Sequence, residues 1–182
     1  MTSRKILLLA IAGAVGLTAL VAWQGCRKTP ARPPTEETSA SDPFEPKQAQ
    51  PKLDTIKLWL GSEELITEMA VTAQQERTGM MFRTTMAENE GMIFVYDLPQ
   101  RVAFWMKNCT IPLSIAYIDS EGVIREIHDL QPQDTNSVFS TSDRIRFALE
   151  VPQGWFKRHN IHEGMTVRTE RGSLPQTFDR NR

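Results

Sequence analysis

A proline-rich stretch divides this chain and limits where it can fold. Six of the 11 prolines fall between Arg27 and Lys52, where Phe44 is the only large apolar side chain. Such a segment cannot bury enough apolar surface to offset the entropy lost when a chain becomes ordered. We therefore expect a disordered, extended linker over residues 27–52, with the folded domain beyond it.

The segment before the linker is apolar and follows two basic residues. Residues 6–23 form an 18-residue run without a charge. A cleaved secretory signal usually has about 7–15 apolar residues, whereas a membrane span needs about 18 or more. The pair Gly25-Cys26 also resembles the end of a bacterial lipobox, which makes Cys26 a candidate for lipidation. Three interpretations of residues 1–26 stay open: an uncleaved anchor, a lipoprotein signal and a cleaved signal peptide.

Each of these interpretations places the domain outside the cytoplasm. We expect an extracytoplasmic protein, periplasmic or at the cell surface, that is tethered to the membrane by its N-terminal segment. Beyond residue 52 the chain has 14 Lys+Arg against 18 Asp+Glu. Since nucleic-acid-binding domains are usually basic, we expect no nucleic-acid partner.

Residues 53–174 have the pattern of many short strands. Ile56, Leu58 and Leu60 recur at every second position, as in a strand with one buried face. Residues 111–118 are apolar on both faces, with one serine as the exception, which is typical of a central strand. The pattern predicts an α+β domain with mostly antiparallel strands, a small partly closed barrel-like sheet and two short helices.

Local signals place the two helices. The sequence Thr72-Ala-Gln-Gln75 is a capping box for a first helix that ends at Gly79. Pro152 is placed in the first turn of a second helix that continues to His159. We expect residues 175–182 to form a flexible tail.

A set of short motifs follows in a fixed order along residues 68–154, and its specificity lies in the combination. The motifs are Glu68-x-Ala70, Gly79-Met-Met-Phe-Arg83, Gly91-Met-Ile-Phe-Val95, Phe104-Trp-Met-Lys-Asn108, Ile111-Pro-Leu113, Ala148-Leu-Glu150 and Gly154. This ordered set resembles DUF192, a domain family of unknown function. The resemblance implies a compact β-rich fold in proteins that are often exported or membrane-anchored, and it implies no assigned activity.

The polar members of these motifs are the candidate site residues. Arg83, Lys107 and Asn108 each follow an apolar run, a placement that puts donors at the rim of a core. Arginine offers a planar fork, lysine a point charge and asparagine a neutral donor and acceptor. Together with Trp105, whose ring can stack on a ligand, these three residues predict a pocket for a small anionic or sugar-like ligand.

The same residues have a structural alternative. Arg83 and Lys107 could instead pair with Glu68 or Glu150 and only hold strands together. The glycines of the motifs are expected at turns or helix ends, and the motif methionines and phenylalanines are expected in the core. Cys109 is expected to be a small buried core residue.

Three classes of function stay open. The leading hypothesis is a ligand-binding or accessory module of the cell envelope. The second is a hydrolase-like envelope enzyme in which Glu150 acts as acid or base and Lys107 or Arg83 holds charge in the transition state. The third is a purely structural interaction domain. The sequence contains no H-E-x-x-H, G-x-S-x-G or C-x-x-C motif, and we expect neither a metal nor a cofactor.

Overall fold

The structure is a computed structural model that describes residues 45–179. The chain divides into two units after residue 40, and the described residues belong to the second, Ser41–Arg182. The predicted signal or anchor segment, Cys26 and the first part of the predicted linker lie outside the described residues. Between residues 45 and 179, no helix is long and apolar enough to span a membrane.

Ten strands and three short helices follow one another within residues 45–179. In chain order they are β1 (Thr55–Leu60), β2 (Glu63–Ala70), α1 (Ala73–Thr78), β3 (Glu90–Gln100), β4 (Ala103–Phe104), β5 (Leu113–Asp119), β6 (Ile124–Leu130), β7 (Val138–Phe139), β8 (Ile145–Pro152), α2 (Trp155–Arg158), β9 (Val167–Thr169), β10 (Gly172–Ser173) and α3 (Leu174–Phe178).

Eight of the strands form one sheet in the order β10-β9-β1-β2-β3-β8-β5-β6. Its neighbours are antiparallel except for β2 and β3, which are parallel. The sheet is not closed, although one bridge between Val123 and Thr166 connects the residues that precede β6 and β9. Strands β4 and β7 pair separately. The α+β prediction with mostly antiparallel strands is confirmed, and β5 is an interior strand that is buried throughout.

The two faces of the sheet carry different cores. Successive side chains of a strand point to opposite faces, so Phe147 and Leu149 of β8 join one core while Ala148 joins the other. The first core also contains Trp155 of α2 and Leu174 of α3. The second core is rich in methionine and aromatic side chains, and it carries the candidate site. Its buried members include Met80, Met81, Met92, Phe94, Met106, Cys109, Ile115 and Tyr117.

The helix signals have mixed outcomes. Helix α1 has the predicted capping box, with Thr72 and Gln75 bonded reciprocally, and it ends at Gly79 as expected. The second helix differs, because Pro152 is the last residue of β8 and α2 begins only at Trp155. A proline is tolerated at the end of a strand, where its missing N–H removes little of the ladder.

Both ends of the predicted domain are more ordered than the sequence indicates. Residues 174–178, most of which we expected in a flexible tail, form α3, whose capping box joins Ser173 and Gln176. Phe178 packs on Phe147 with ring centroids 5.8 Å apart. At the other end, Gln50 of the predicted linker donates to the carbonyl oxygen of Gly79 at 3.0 Å. It satisfies a carbonyl at the end of α1, which explains why this part of the linker lies on the domain.

Candidate functional site

Two carboxylates share one face of the sheet. The strand pairing places Glu68 of β2 opposite Met92 of β3, and Met92 opposite Glu150 of β8. Glu150 in turn lies opposite Ile115 of β5. The four residues form a row across the sheet on the side of the second core. Adjacent strands are about 4.8 Å apart, so the backbones of the two glutamates are about 10 Å apart.

Glu68 is fully partnered by Arg83. The guanidinium donates from Nη1 to Oε1 at 3.2 Å and from Nη2 to Oε2 at 2.9 Å. The backbone N–H of Leu53 donates to the same Oε2 at 2.7 Å, and Nη2 of Arg83 also donates to the carbonyl of Pro51. This is the structural alternative that the sequence offers for Arg83. The arginine fastens the segment after α1, and the end of the linker, to β2.

Glu150 has the opposite environment. Its exposed fraction is 4%, and Oε2 has no hydrogen-bond partner among the described residues. Its neighbours across the strands, Met92 and Ile115, are apolar. Because burial disfavours the charged form, the pKa of Glu150 is raised to about 8. Most of the Glu150 carboxyl groups are therefore protonated at neutral pH.

Glu150 lines a cavity of about 320 Å³, which we call the Glu150 cavity. It lies on the second core, between α1, β3, β4, β8 and the turn that follows β4. Six of its lining residues are methionine or aromatic and five are charged, and Trp105 at its edge is 44% exposed. The lining residues are Glu45, Pro46, Glu76, Arg77, Thr78, Gly79, Met80, Met81, Phe94, Tyr96, Ala103, Phe104, Trp105, Lys107, Cys109 and Glu150.

The structure brings three of the five predicted ligand-binding residues together. Trp105, Lys107 and Glu150 line the cavity, whereas Arg83 and Asn108 do not. The Lys107 ammonium forms an ion pair with Glu45 and lies 5.4 Å from the ring centroid of Trp105. Asn108 has a positive φ of 60°, and its carbonyl accepts the N–H of Phe82 at 2.7 Å. Asn108 thus shapes the turn that supports the cavity.

Three titratable groups near Glu150, the side chains of Tyr96, Cys109 and Tyr117, are uncharged at neutral pH. Burial, and then the charges of Glu76 and Glu150, raise the pKa of Tyr96. Burial and the charge of Glu150 raise the pKa of the Cys109 thiol to about 12, and they also raise the pKa of Tyr117. The cavity therefore holds hydroxyl and thiol groups in their neutral forms, with neither a thiolate nor a phenolate to act as a nucleophile.

Several cavity residues were not predicted as site residues. Met80, Met81, Phe94 and Phe104 were assigned to the core, and they belong to the core and the cavity wall at once. No sequence pattern marked Glu76 as a site residue, and it was expected only as part of the first helix. Burial and the charge of Asp97 raise its pKa. In residues 45–179 no group of three or more His, Cys, Asp or Glu side chains is arranged to hold a metal ion.

One motif glycine lies at Glu150 itself. Gly79 and Gly154 flank helices, as expected, but Gly91 lies inside β3 and was wrongly expected at a turn or helix end. A Cβ at Gly91 would be 2.9 Å from the carbonyl oxygen of Glu150. Only glycine lets β3 approach β8 this closely beside Glu150, and the added Cβ would lie on the first-core side of the sheet, next to Leu149 and Val151.

Comparison with known proteins places the chain in a family. The family model DUF192, described as "Uncharacterized ACR", matches residues 57–169. A solved structure from Sinorhizobium meliloti, described as a "putative transcription regulator", is 29% identical with a TM-score of 0.61. The match covers 66% of this chain and 98% of that one. A protein of unknown function from Novosphingobium aromaticivorans is 28% identical with a TM-score of 0.62, over 66% of this chain and 90% of its own.

No curated protein matches the chain. The family model nevertheless covers more than half of its residues, and it includes both glutamates of the row and every cavity residue from Glu76 onward. The chain belongs to the DUF192 family.

Proposed function

We propose that this domain is a ligand-binding module and that the Glu150 cavity receives a small organic molecule. The observation that carries the proposal is the buried, unpartnered carboxyl of Glu150 in an open cavity. The volume of about 320 Å³ lies within the range of about 300–1,000 Å³ that is usual for such sites. Apolar walls with a few convergent polar groups are also typical of them.

An unpartnered buried carboxyl needs an explanation, because a buried polar group without a hydrogen bond destabilises a fold. The same face of the sheet supplies Glu68 with a guanidinium and a backbone N–H. Glu150 lacks both, although it is the more deeply buried of the two. A ligand group that bonds to Glu150 would complete the site, and this favours a binding role.

General acid catalysis is the second candidate, and the raised pKa of Glu150 favours it. The basic partners named for this mechanism are engaged elsewhere, since Arg83 is held by Glu68 and Lys107 by Glu45. The Cys109 thiol is neutral and cannot act as a ready nucleophile. Binding without chemistry therefore has the stronger support.

We also propose that this module works outside the cytoplasm as part of the cell envelope. The support is the uncharged run of residues 6–23 behind two basic residues. Mass spectrometry of the mature N-terminus distinguishes the three forms. An intact N-terminus fits an anchor, a lipidated Cys26 fits a lipoprotein, and a new unmodified N-terminus fits a cleaved signal. An intact chain recovered from the cytosol contradicts export.

A fragment screen of the full-length chain tests ligand binding. Methionines carrying ¹³C-labelled methyl groups place reporters at Met80 and Met81 in the cavity wall and at Met165 beside the other core. The library contains sugars, anions and amines, so that both ligand classes predicted from the sequence are covered. We expect at least one class to shift the Met80 and Met81 signals and leave Met165 unchanged.

A blocking variant gives the control for this screen. Ala103→Trp adds a large side chain at an exposed position on the mouth of the cavity, whereas Ala87→Trp adds the same side chain at an exposed position away from it. We expect Ala103→Trp to abolish the shifts and Ala87→Trp to keep them. If no fragment shifts Met80 or Met81, or if the shifts survive in Ala103→Trp, the cavity is not a ligand site.

A further inference from the structure

We infer that the Glu150 cavity recognises an organic cation, a protonated amine whose ammonium group lies against the Glu150 carboxylate among aromatic rings. This inference rests on the proposed binding function and specifies its ligand class. It departs from the anionic or sugar-like ligand that the sequence predicts. The reasons are the charges and the rings that line the cavity.

The lining charges favour a cation. Three carboxyl side chains line the cavity, those of Glu45, Glu76 and Glu150, against the two basic side chains of Arg77 and Lys107. Glu45 and Lys107 pair with each other at the edge. Arg77 is exposed, whereas Glu150 forms no ion pair with any described residue. The inner part of the cavity therefore has carboxyl groups without a matching positive charge.

The rings around the cavity favour the same ligand. Phe94 and Phe104 meet edge to face, with centroids 4.9 Å apart and planes at 83°. Tyr96 and Trp105 add two more rings to the lining. The face of an aromatic ring attracts a cation, and a combination of such rings with a carboxylate is suited to an ammonium group. Trp105 already has the Lys107 ammonium 5.4 Å from its centroid.

Anionic and neutral ligands fit the cavity less well. An anion would be repelled by the charge of Glu76, and by Glu150 once it ionises, while Lys107 is already paired with Glu45. A neutral hydroxyl could bond to the protonated Glu150 carboxyl, but it would not offset the charge of Glu76. An ammonium group interacts favourably with both, and its attraction to a carboxylate is stronger in a buried site than in water.

Binding of an ammonium group also requires a proton to leave. The Glu150 carboxyl must lose its proton to solvent before it can form the ion pair. The titratable groups near it are Tyr96 of β3, Tyr117 of β5 and Cys109 of the preceding turn, and Glu76 of α1 lines the same cavity; the charge of Glu150 raises the pKa of Tyr96, Tyr117 and Cys109. Tyr96, Tyr117 and Cys109 stay neutral when Glu150 ionises. Amine binding should therefore release up to one proton, and the affinity should rise with pH until Glu150 is ionised.

Three probes of similar shape test the inference on the full-length chain: benzylamine, benzyl alcohol and benzoate. Titrations are followed by the methyl signals of Met80 and Met81. We expect benzylamine to bind about tenfold or more tightly than benzyl alcohol, because one pKa unit of charge interaction corresponds to a tenfold change. We expect no binding of benzoate at the same concentrations.

Glu150→Gln keeps the shape of the protonated side chain and removes its charge. We expect this variant to lose about tenfold or more of its benzylamine affinity while its affinity for benzyl alcohol stays the same. The matched control is Glu163→Gln, which removes an exposed carboxylate outside the cavity. Calorimetry in two buffers of different ionisation enthalpy measures the released proton.

The outcomes separate the ligand class from the binding function. If benzyl alcohol or benzoate binds as tightly as benzylamine, the cation inference is wrong and the cavity is still a binding site. If no amine binds but a sugar or an anion shifts Met80 and Met81, again only the inference falls. If nothing shifts these signals, both proposals fall. An amine affinity that is unchanged in Glu150→Gln also overturns the inference.

Discussion

Glu68 and Glu150 lie on the same face of one sheet, on either side of Met92, and both are largely buried. Glu68 accepts two bonds from Arg83 and one from the backbone of Leu53. Glu150 has an oxygen with no partner among the described residues, and it faces a cavity. The Glu68–Arg83 pair fastens the segment after α1 and the end of the linker to β2. Glu150 instead destabilises the folded domain, because its buried carboxyl lacks a hydrogen-bond partner.

The difference has a simple physical origin. Glu68 is near the end of β2, within reach of the chain that follows α1 and of the linker that precedes β1. Glu150 lies in the interior of the sheet between β3 and β5, where its neighbours in the row are apolar. A carboxyl in that position can be completed by a side chain crossing the cavity or by a ligand. No described side chain does so.

Removal of Arg83 should have the largest effect on stability. Arg83→Ala leaves the Glu68 carboxylate buried without a cation, and breaking a buried pair in this way costs about 4 kcal/mol. Urea unfolding at neutral pH measures the change. Arg144→Ala, which removes an exposed arginine, serves as the control and should change stability little.

A double variant shows whether the loss of stability comes from the Glu68 carboxylate that is left without a cation. Glu68→Gln combined with Arg83→Ala should be more stable than Arg83→Ala alone, because the amide needs no cation. If Arg83→Ala costs less than about 1 kcal/mol, the pair behaves as an exposed one, and the contrast with Glu150 is lost.

Replacement of Glu150 should increase the stability of the domain, in contrast to the loss expected for Arg83→Ala. The folded-state pKa of about 8 lies above the usual 4.5, so the folded state holds the Glu150 proton more tightly than the unfolded state does. This contribution is complete below about pH 4.5 and is lost as the pH rises towards about 8. Glu150→Gln has no such loss. The free energy of unfolding of the variant minus that of the native chain should therefore be about 3 kcal/mol larger at about pH 8 than at about pH 5.

Urea unfolding of both chains across this pH range checks the result. A stability difference that does not change with pH would mean that Glu150 already has a charge partner, as Glu68 has. A variant that is more stable and no longer binds the amine probe would link the two properties. Binding sites commonly retain such groups at a cost in stability.

The sequence predicted those elements around the two glutamates that depend on residues close together in the chain. The alternation of Ile56, Leu58 and Leu60 located β1, and the Thr72–Gln75 capping box located the helix that forms one wall of the cavity. The family motifs marked both Glu68 and Glu150. The sequence also named Glu68, the observed partner of Arg83, as one of two alternatives beside Glu150, but it could not choose between them.

That choice depends on pairing between distant strands. The parallel match of β2 with β3 aligns Glu68 with Met92, and no local pattern indicates it. The same holds for Lys107, whose partner is Glu45 of the predicted linker and not Glu150. Helix α3 is different, since its capping box at Ser173 and Gln176 was present in the sequence and was missed because the helix is only five residues long.

A substitution at Gly91 tests the backbone contact between β3 and Glu150, and its expected effect on stability is smaller. Gly91→Ala would place a methyl group 2.9 Å from the carbonyl oxygen of Glu150, so β3 and β8 must move apart. We expect a loss of about 2 kcal/mol in urea unfolding, together with shifts of the Met80 and Met81 signals.

Gly164→Ala separates this contact from the general effect of replacing a glycine. No atom would lie within 4 Å of the new Cβ, and only the φ of +88° opposes the substitution. It should leave the Met80 and Met81 signals unchanged. A Gly91→Ala chain as stable as the native one would show that the backbone at Glu150 is adaptable, and that Glu150 need not stay in its apolar position.

The smallest effect is expected at the edge of the cavity. Lys107 and Glu45 form an ion pair whose side chains are 37% and 31% exposed, against 18% and 12% for Arg83 and Glu68. Exposed pairs contribute between about 0 and 1 kcal/mol and are weakened by salt. Lys107→Ala should therefore cost about 0.5 kcal/mol or less in urea unfolding, and the difference should disappear at high salt. A larger loss that persists in salt would mean that the linker end is fastened as firmly as Arg83 fastens its own segment. The edge of the cavity would then be a fixed part of the fold, and a ligand would have to enter without displacing it.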